Sequence, residues 1–313
     1  MGLVAQWLRQ PQKVWLRKAL FQIHLWLGIG LGLYILMMSV TGSAIVARRE
    51  MTRALVAHSV TILPGGRISD ERMQEIAQQV WPGYEIQSLI HMRRLRPYGP
   101  LPPAGAPLAP SNTDAPVQVT LKRAGEVRMR VFDPYSGKDL GDADPWQLRF
   151  LHKVVDLHDN LLGGRTGQRV NGCVAIAVSL LFVTGLIIWW PGSQRWKQSL
   201  YVQAGVGWRR QLWQLHSMMG IWIFLLLLLW GLSGIYFAFP APFQQFAEWI
   251  HPPDVDDGVA AYELLGGFVN LHFGRFGGMG VRTTWIVLGL VPAALFITGA
   301  ILWWNNVVRP RLD

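Results

Sequence analysis

Four histidines recur at matched positions along this chain, and imidazole is the commonest side-chain ligand for metal ions. Arg17–His24 is echoed 192 positions later by Arg209–His216. Each copy has a glycine four residues past the histidine (Gly28, Gly220) and a hydroxyl-glycine pair at 17 and 18 (Thr41-Gly42, Ser233-Gly234). A second repeat has an offset of 114. There Leu157-His158 matches Leu271-His272, Gly163-Gly164 matches Gly277-Gly278, Thr184-Gly185 matches Thr298-Gly299, and Trp189-Trp190 matches Trp303-Trp304. Histidines kept at fixed places in a repeat suggest ligands for something held between the copies.

The elements that would carry them are long apolar runs. A hydrocarbon core about 30 Å thick needs roughly 20 apolar residues per helix. Residues 21–47, 167–190, 212–239 and 282–304 meet that length, with no Asp, Glu or Lys inside. The expected fold is an all-α membrane bundle of four transmembrane helices, made of two duplicated hairpins, with a small exported α+β domain. The first run is too long for the apolar core of a signal peptide, although Ala44-Ile45-Val46-Ala47 has the look of a cleavage site.

Charge gives the orientation. Arg9, Lys13, Arg17 and Lys18 precede the first run, Arg195, Lys197, Arg209 and Arg210 lie between the second and third, and Arg309 and Arg311 follow the fourth. The connection between the third and fourth is mainly acidic, with Glu248, Asp254, Asp256, Asp257 and Glu263. Both termini (1–20 and 305–313) and loop 191–211 are therefore expected in the cytoplasm. Residues 48–143 form the exported domain, 144–166 an interfacial helix, and 240–281 an exported loop with a second such helix. Arg48, Arg49 and Arg53 argue the other way, but they open a long translocated segment. The net charge of +10 is thus largely topogenic and calls for no nucleic acid. Cys173, the only cysteine, lies in the second run, so no internal disulfide forms.

In the exported segment, Leu63-Pro64-Gly65-Gly66 reads as a turn and Ser69-Asp70-Glu71 as a helix start. Pro82-Gly83 stops that helix. A strand follows over 84–92, then a flexible stretch over 96–114, rich in Pro, Ala and Gly. Residues 117–121 and 127–132 read as a hairpin closed by a turn at Asp133–Gly137. Residues 144–162 form an amphipathic helix with His158 near its end. The stretch 263–273, with His272, ends in the same way.

Depth sorts the histidines. His24 and His216 stand 17 residues before their hydroxyl-glycine pairs, about 25 Å of helix. Both belong to the inner level. His158 and His272 precede inward-going helices and belong to the outer level. Two facing imidazoles can hold a haem iron axially, and two pairs at two depths would make an electron path across the bilayer. Arg17, Arg165, Arg169 and Arg210 are candidate propionate partners. Gly28, Gly32, Gly42, Gly220, Gly231 and Gly234 would allow close approach of a planar group, or simply of helices. An isolated histidine in a membrane helix is commonly just a hydrogen-bonding group, and tryptophans at helix ends commonly form an interfacial belt. His152, six residues before His158, is a secondary candidate without a partner in the other repeat. His58, His91 and His251 read as ordinary exported-side residues. No phosphate-binding loop, nucleophile elbow or dinucleotide fingerprint is present.

The basic-aliphatic-histidine-glycine start, Thr41-Gly42, and the hairpin ending Val131-Phe132-Asp133-Pro134-Tyr135-Ser136-Gly137 resemble the PepSY-associated transmembrane family. Some of its members are inner-membrane di-haem ferric-siderophore reductases. The resemblance implies a PepSY-like exported domain in the periplasm and two haem b groups per chain on His24, His216, His158 and His272. It further implies reduction of a ferric siderophore or other ferric chelate. Arg93, Arg94 and Arg96 in the loop 92–110 could help dock an anionic chelate, although a basic loop of this kind is more often simply solvated. The electron donor would be a quinol or a cytoplasmic reductase. Two alternatives stand beside it: an electron relay to another periplasmic protein, and a non-redox module regulating a peptidase.

Overall fold

The computed structural model describes residues 3–55, 66–91, 116–252 and 259–311. The chain divides into two compact units, Arg49–Leu151 and Met1–Arg48 with His152–Asp313.

The larger unit is helical. In chain order it has α1 (Leu3–Arg9), α2 (Trp15–Gly30) and α3 (Gly32–Val46); α4 (Arg48–Leu55) and α5 (Asp70–Val80) lead into and belong to the smaller unit. Then come α6 (Trp146–Asn160), α7 (Gly164–Trp189), α8 (Trp208–Trp222), α9 (Phe224–Ala238) and α10 (Pro240–Ile250). The last are α11 (Val259–Phe273), α12 (Met279–Gly289) and α13 (Val291–Trp303). Gly164–Trp189 and Met279–Arg311 are each long and apolar enough to cross a membrane. The pairs α2–α3 and α8–α9 pass the same test together, but are bent by 61° and 62°.

The straight first and third spans expected from sequence are thus bent helices. The breaks fall at Leu31 and Ile223, equivalent positions in the repeat. At the first, a Cβ on Gly32 would sit 1.9 Å from the Phe296 ring, so that ring occupies the space a side chain would need. The fourth run is interrupted at Leu290, without a bend like those two, for a different reason. The Ser39 hydroxyl donates to Gly289 O (2.5 Å) and accepts from Ala293 N–H (3.2 Å). It is inserted into the place of an i→i−4 bond, a recognised way of interrupting a helix. Pro292, one residue into α13, lacks the N–H for another such bond.

The bends exchange neighbours. Helix α2 packs on α7, while α3 packs on α12 and α13; α8 packs on α13, while α9 packs on α7. The start of α7 is earlier than expected, because Leu161 (φ 53), Leu162 (φ 60) and Gly164 (φ 55) turn the chain sharply out of α6. Gly167 makes that turn possible, since a Cβ there would lie 1.8 Å from Asn160 O. Helix α8 also starts earlier than expected, and α10 was not anticipated.

The smaller unit follows its sequence pattern closely. Strands β1 (Glu85–His91), β2 (Val117–Arg123), β3 (Glu126–Phe132) and β4 (Asp139–Asp142) form one antiparallel meander in the order β1-β2-β3-β4. Val117, Val119 and Leu121 alternate into a core with Met73 and Ala77 of α5, Tyr84 and Phe132. The Ser69 side chain caps α5 by accepting from Arg72 N–H. The Asp133 carboxylate accepts from the N–H groups of Tyr135 and Ser136, fixing the turn. Strand β4 escapes sequence reading because Asp-Leu-Gly-Asp has no apolar alternation. Its anchor is polar: Arg130 binds Asp139 (3.0 Å) and Asp142 (2.9 Å). The expected turn residues 63–65, His58 and the loop 92–110 with Arg93, Arg94 and Arg96 lie outside the described residues.

Candidate functional site

Each of the four repeated histidines points Nδ1 at the hydroxyl of a hydroxyl-glycine pair on another helix. His24 of α2 meets Thr184 of α7 (3.2 Å), and His216 of α8 meets Thr298 of α13 (2.9 Å). His158 of α6 meets Thr41 of α3 (2.9 Å), and His272 of α11 meets Ser233 of α9 (2.5 Å). The repeat marks these hydroxyls, but spacing alone did not tell that they face the histidines.

Proton counting fixes the tautomer. A hydroxyl has one proton. Thr41 Oγ1 lies 2.7 Å from Met37 O, Thr184 Oγ1 2.8 Å from Leu181 O, Thr298 Oγ1 2.8 Å from Ala294 O, and Ser233 Oγ 2.6 Å from Leu229 O. A carbonyl can only accept, so each hydroxyl donates back to its own helix, the usual habit of Ser and Thr there. The hydroxyl must then accept from the imidazole, and Nδ1 carries the hydrogen. Nε2 keeps its lone pair, with no hydrogen-bond partner among the described residues. This is the form in which histidine binds a metal while its other nitrogen is held by a second group.

Two of the four histidines share one space. His158 and His272 line one cavity of about 360 Å³, walled by α3, α6, α7, α9, α11, α12 and the start of α13. Its lining is mostly apolar, with Tyr34, Phe182, Leu227, Trp230 and Phe237 among it. Gly42 and Gly234, the partners of Thr41 and Ser233 in sequence, also line it. A Cβ on Gly42 would stand 2.9 Å from His158 Cε1, so only glycine lets that ring approach α3. Gly185 and Gly299 serve His24 and His216 in the same way, at 3.0 and 3.2 Å.

Gly28 and Gly220 lie one turn past His24 and His216. Their nearest neighbours, Leu181 and Leu295, would be 3.9 and 4.0 Å from an added Cβ, leaving room along the faces that carry the histidines. Arg17 Nη2 donates to Ile188 O (2.6 Å), while Arg17 Nε and the indole N–H groups of Trp189, Trp190 and Trp303 are buried without partners. Such orphaned donors suit acceptor oxygens at the rim of a bound group. A planar macrocycle held by two axial imidazoles fits these residues. No group of three or more His, Cys, Asp or Glu side chains gathers among the described residues, so a closed all-protein metal site is absent there.

The remaining candidates stand apart. Arg165 and Arg169 on α7, Arg210 on α8 and His152 on α6 are exposed, and His152 does not line the cavity. His91 belongs to the smaller unit, with Asp70 and Arg67. The ends of the surface helices are also held. Asn171 donates to His158 O (2.8 Å) and accepts from the Tyr34 hydroxyl (2.5 Å). Trp230 donates to His272 O (3.2 Å), and Trp285, the repeat equivalent of Asn171, to Leu271 O (3.0 Å). Asn and Trp share no chemistry a sequence comparison would join.

The model of the PepSY-associated TM region matches residues 21–262 and 251–306. The chain belongs to that family. No curated protein matches it. PepSY membership makes it a membrane protein, with its apolar helices in contact with lipid.

Proposed function

We propose that this PepSY-associated protein is a bacterial inner-membrane di-haem oxidoreductase. In this reading it moves electrons outward across the bilayer to ferric chelates, ferrisiderophores among them, in the periplasm. The observation that carries the reading is the set of four histidines. Each has Nδ1 engaged and Nε2 without a partner among the described residues, and we assign them to two pairs at two depths from the repeat and the basic-loop bias. His24 with His216 and His158 with His272 would be the axial ligands of two haem b groups. The haems, when bound, supply one-electron redox chemistry.

The chain's own residues have three tasks. The hydroxyls of Thr184, Thr298, Thr41 and Ser233 orient the imidazoles. The apolar walls around His158 and His272 exclude water. Arg17 and the buried indole N–H groups would donate to acidic oxygens of such a group. By the basic-loop bias, the termini lie in the cytoplasm and the PepSY-like domain in the periplasm. Each Fe(III) chelate takes one electron and becomes Fe(II), which oxygen ligands hold more weakly. A quinol donor gives two electrons and two protons and so serves two chelates.

The test is the absorption spectrum and pyridine-haemochrome count of purified protein, expected at two non-covalent haems per chain. His24→Ala or His216→Ala should remove one haem, and His158→Ala or His272→Ala the other. A colourless protein from haem-replete cells ends the reading. Haem-loaded protein whose reduced form reacts with a periplasmic redox protein, and equally slowly with every ferric chelate, replaces the chelate by a protein acceptor.

A further inference from the structure

Contacts between helices fix how far apart the two sets of histidine-holding hydroxyls are. Helix α7 gives one ruler, because it is unbroken from Gly164 to Trp189 and packs on α9. A Cβ on Gly231 of α9 would stand 3.5 Å from the Ser179 Cβ, and one on Gly234 3.4 Å from the Ala175 Cβ. Ser233, which holds His272, therefore stands level with residues 176–177 of α7. Thr184, which holds His24, is on α7 itself, two turns further along. That is about 11 Å of helix. The second ruler is α12 with α13. Ser43 Oγ donates to Ile286 O, and Ser39 Oγ sits between Gly289 O and Ala293 N–H. Thr41, which holds His158, thus stands level with residues 289–290. Thr298, which holds His216, is about 13 Å further along. The two rulers share no contact, and they agree. Both are about half of the 25 Å that a straight helix would put between His24 and Thr41; that helix is bent by 61°.

The geometry points to two sites separated by a single layer of side chains, with the Phe182 ring as the partition between them. Phe182 lies two residues before Thr184 on α7, and helical side chains lean toward the helix N-terminus. Its ring accordingly lines the cavity of His158 and His272, and packs on Ile35, Val178 and Leu181. Leu181 in turn has its carbonyl oxygen 3.1 Å from His24 Nδ1 and its side chain facing Gly28. One phenylalanine thus reaches from the surroundings of one histidine pair to those of the other. Its repeat equivalent, Phe296, does not, because that ring fills the recess over Gly32. The equivalent of Gly32 in the second half is Phe224, which offers Phe182 no such recess. This inference rests on the di-haem reading. An electron leaving ferrous iron at the inner pair reduces ferric iron at the outer pair in one step, with no proton moved and no bond made or broken. Phe182 is a positioning residue: it keeps packed atoms in that path and the two macrocycles apart.

Three measurements on the full-length protein test this. Cross-linking in a Cys173→Ser background checks the register and needs no haem. Ala175→Cys with Gly234→Cys should form a disulfide, since their Cβ atoms stand at the range such a bond spans. Ser179→Cys with Gly234→Cys, one turn out of register, should not. The opposite result moves the first ruler and ends the inference whether or not haem binds. With both haems ferric, pulsed EPR should give an iron–iron distance under about 16 Å, which allows a sideways offset of one helix diameter. A longer distance overturns the single layer and leaves the haem reading intact. Flash photoreduction then times transfer from the inner haem to the outer, the two being told apart by the spectra of His24→Ala and His158→Ala. Phe182→Ala should keep both haems and slow the transfer about tenfold, a cavity replacing packed atoms. Phe182→Leu should fall between, and Phe296→Ala should match wild type. If Phe182→Ala loses a haem, Phe182→Leu carries the comparison. A wild-type rate in the Phe182 variants, or a slower one in Phe296→Ala than in them, overturns the part given to Phe182.

Discussion

At the scale of single residues, space and proton position together define the candidate sites. Gly28 has no packing reason to be glycine, because an added Cβ would meet nothing closer than 3.9 Å. In a helix interior glycine costs about 1 kcal/mol against alanine, so its presence one turn past His24 needs another cause. The expected cause is the flat group on that face. Gly28→Leu should therefore leave the protein folded in detergent, with an unchanged or higher melting temperature, and remove only the inner haem. Retention of both haems would mean that the space beside Gly28 belongs to lipid. The histidines themselves were legible from the repeat, since two offsets return all four. Their partners were visible only as markers. Thr41, Thr184, Ser233 and Thr298 served as rulers of depth because a one-dimensional repeat carries no information about which helix faces which. Asn171, Trp230 and Tyr34 left no sequence signal, because their hydrogen bonds run to main chain or to one another.

At the scale of elements, sequence gave good lengths and poor shapes. Apolar runs of the right size appear where helices are, but hydropathy is blind to a bend of 61° between two equally apolar segments. The break at Leu290 depends on Ser39, which lies some 250 residues away in sequence. Ser39→Ala should let Gly289 O and Ala293 N–H join directly and α12 run unbroken into α13. Since α3 packs on both of those helices, the expected cost is about 1 kcal/mol for the exchanged hydrogen bonds, with looser packing of α3 in addition. Thermal unfolding in detergent, with Ser39→Thr as the control that keeps the hydroxyl, checks this. A melting temperature for Ser39→Ala at or above wild type would show that the inserted hydroxyl is not what sustains the break. In the smaller unit, helix α5 and the β2–β3 hairpin were legible because capping and alternation are local. Strand β4 was not, because its pairing rests on Arg130 and two aspartates. Phe132 is fully buried beneath β2 and α5, and Phe132→Ala should cost about 3–5 kcal/mol in denaturant unfolding. A loss under 1 kcal/mol would mean that Val117, Val119 and Leu121 hold that core without it.

At the scale of the whole chain, the four hydroxyl–histidine bonds and the two histidine pairs divide differently between the repeats. His24–Thr184 and Thr41–His158 lie within the first half, and His216–Thr298 and Ser233–His272 within the second. Each proposed ligand pair takes one histidine from either half. Packing crosses the halves as well, through α3 on α12 and α13 and through α7 on α9. A chain cut in the 191–207 connection and expressed as two pieces should therefore reassemble with both haems. Either piece alone should hold neither, as haem content after co-purification would show. One piece that binds haem by itself would place a complete site within one half.

That division of labour describes a homodimer in all but covalent continuity. An ancestral hairpin with two histidines and two hydroxyls would have prepared both of its ligands by itself, and gained both sites at once on meeting a second copy about a two-fold axis. Joining the copies in one polypeptide removes the need for them to find each other and releases them from being identical. The first could then accept some hundred residues carrying the sheet unit between its helices, while the second kept a shorter connection.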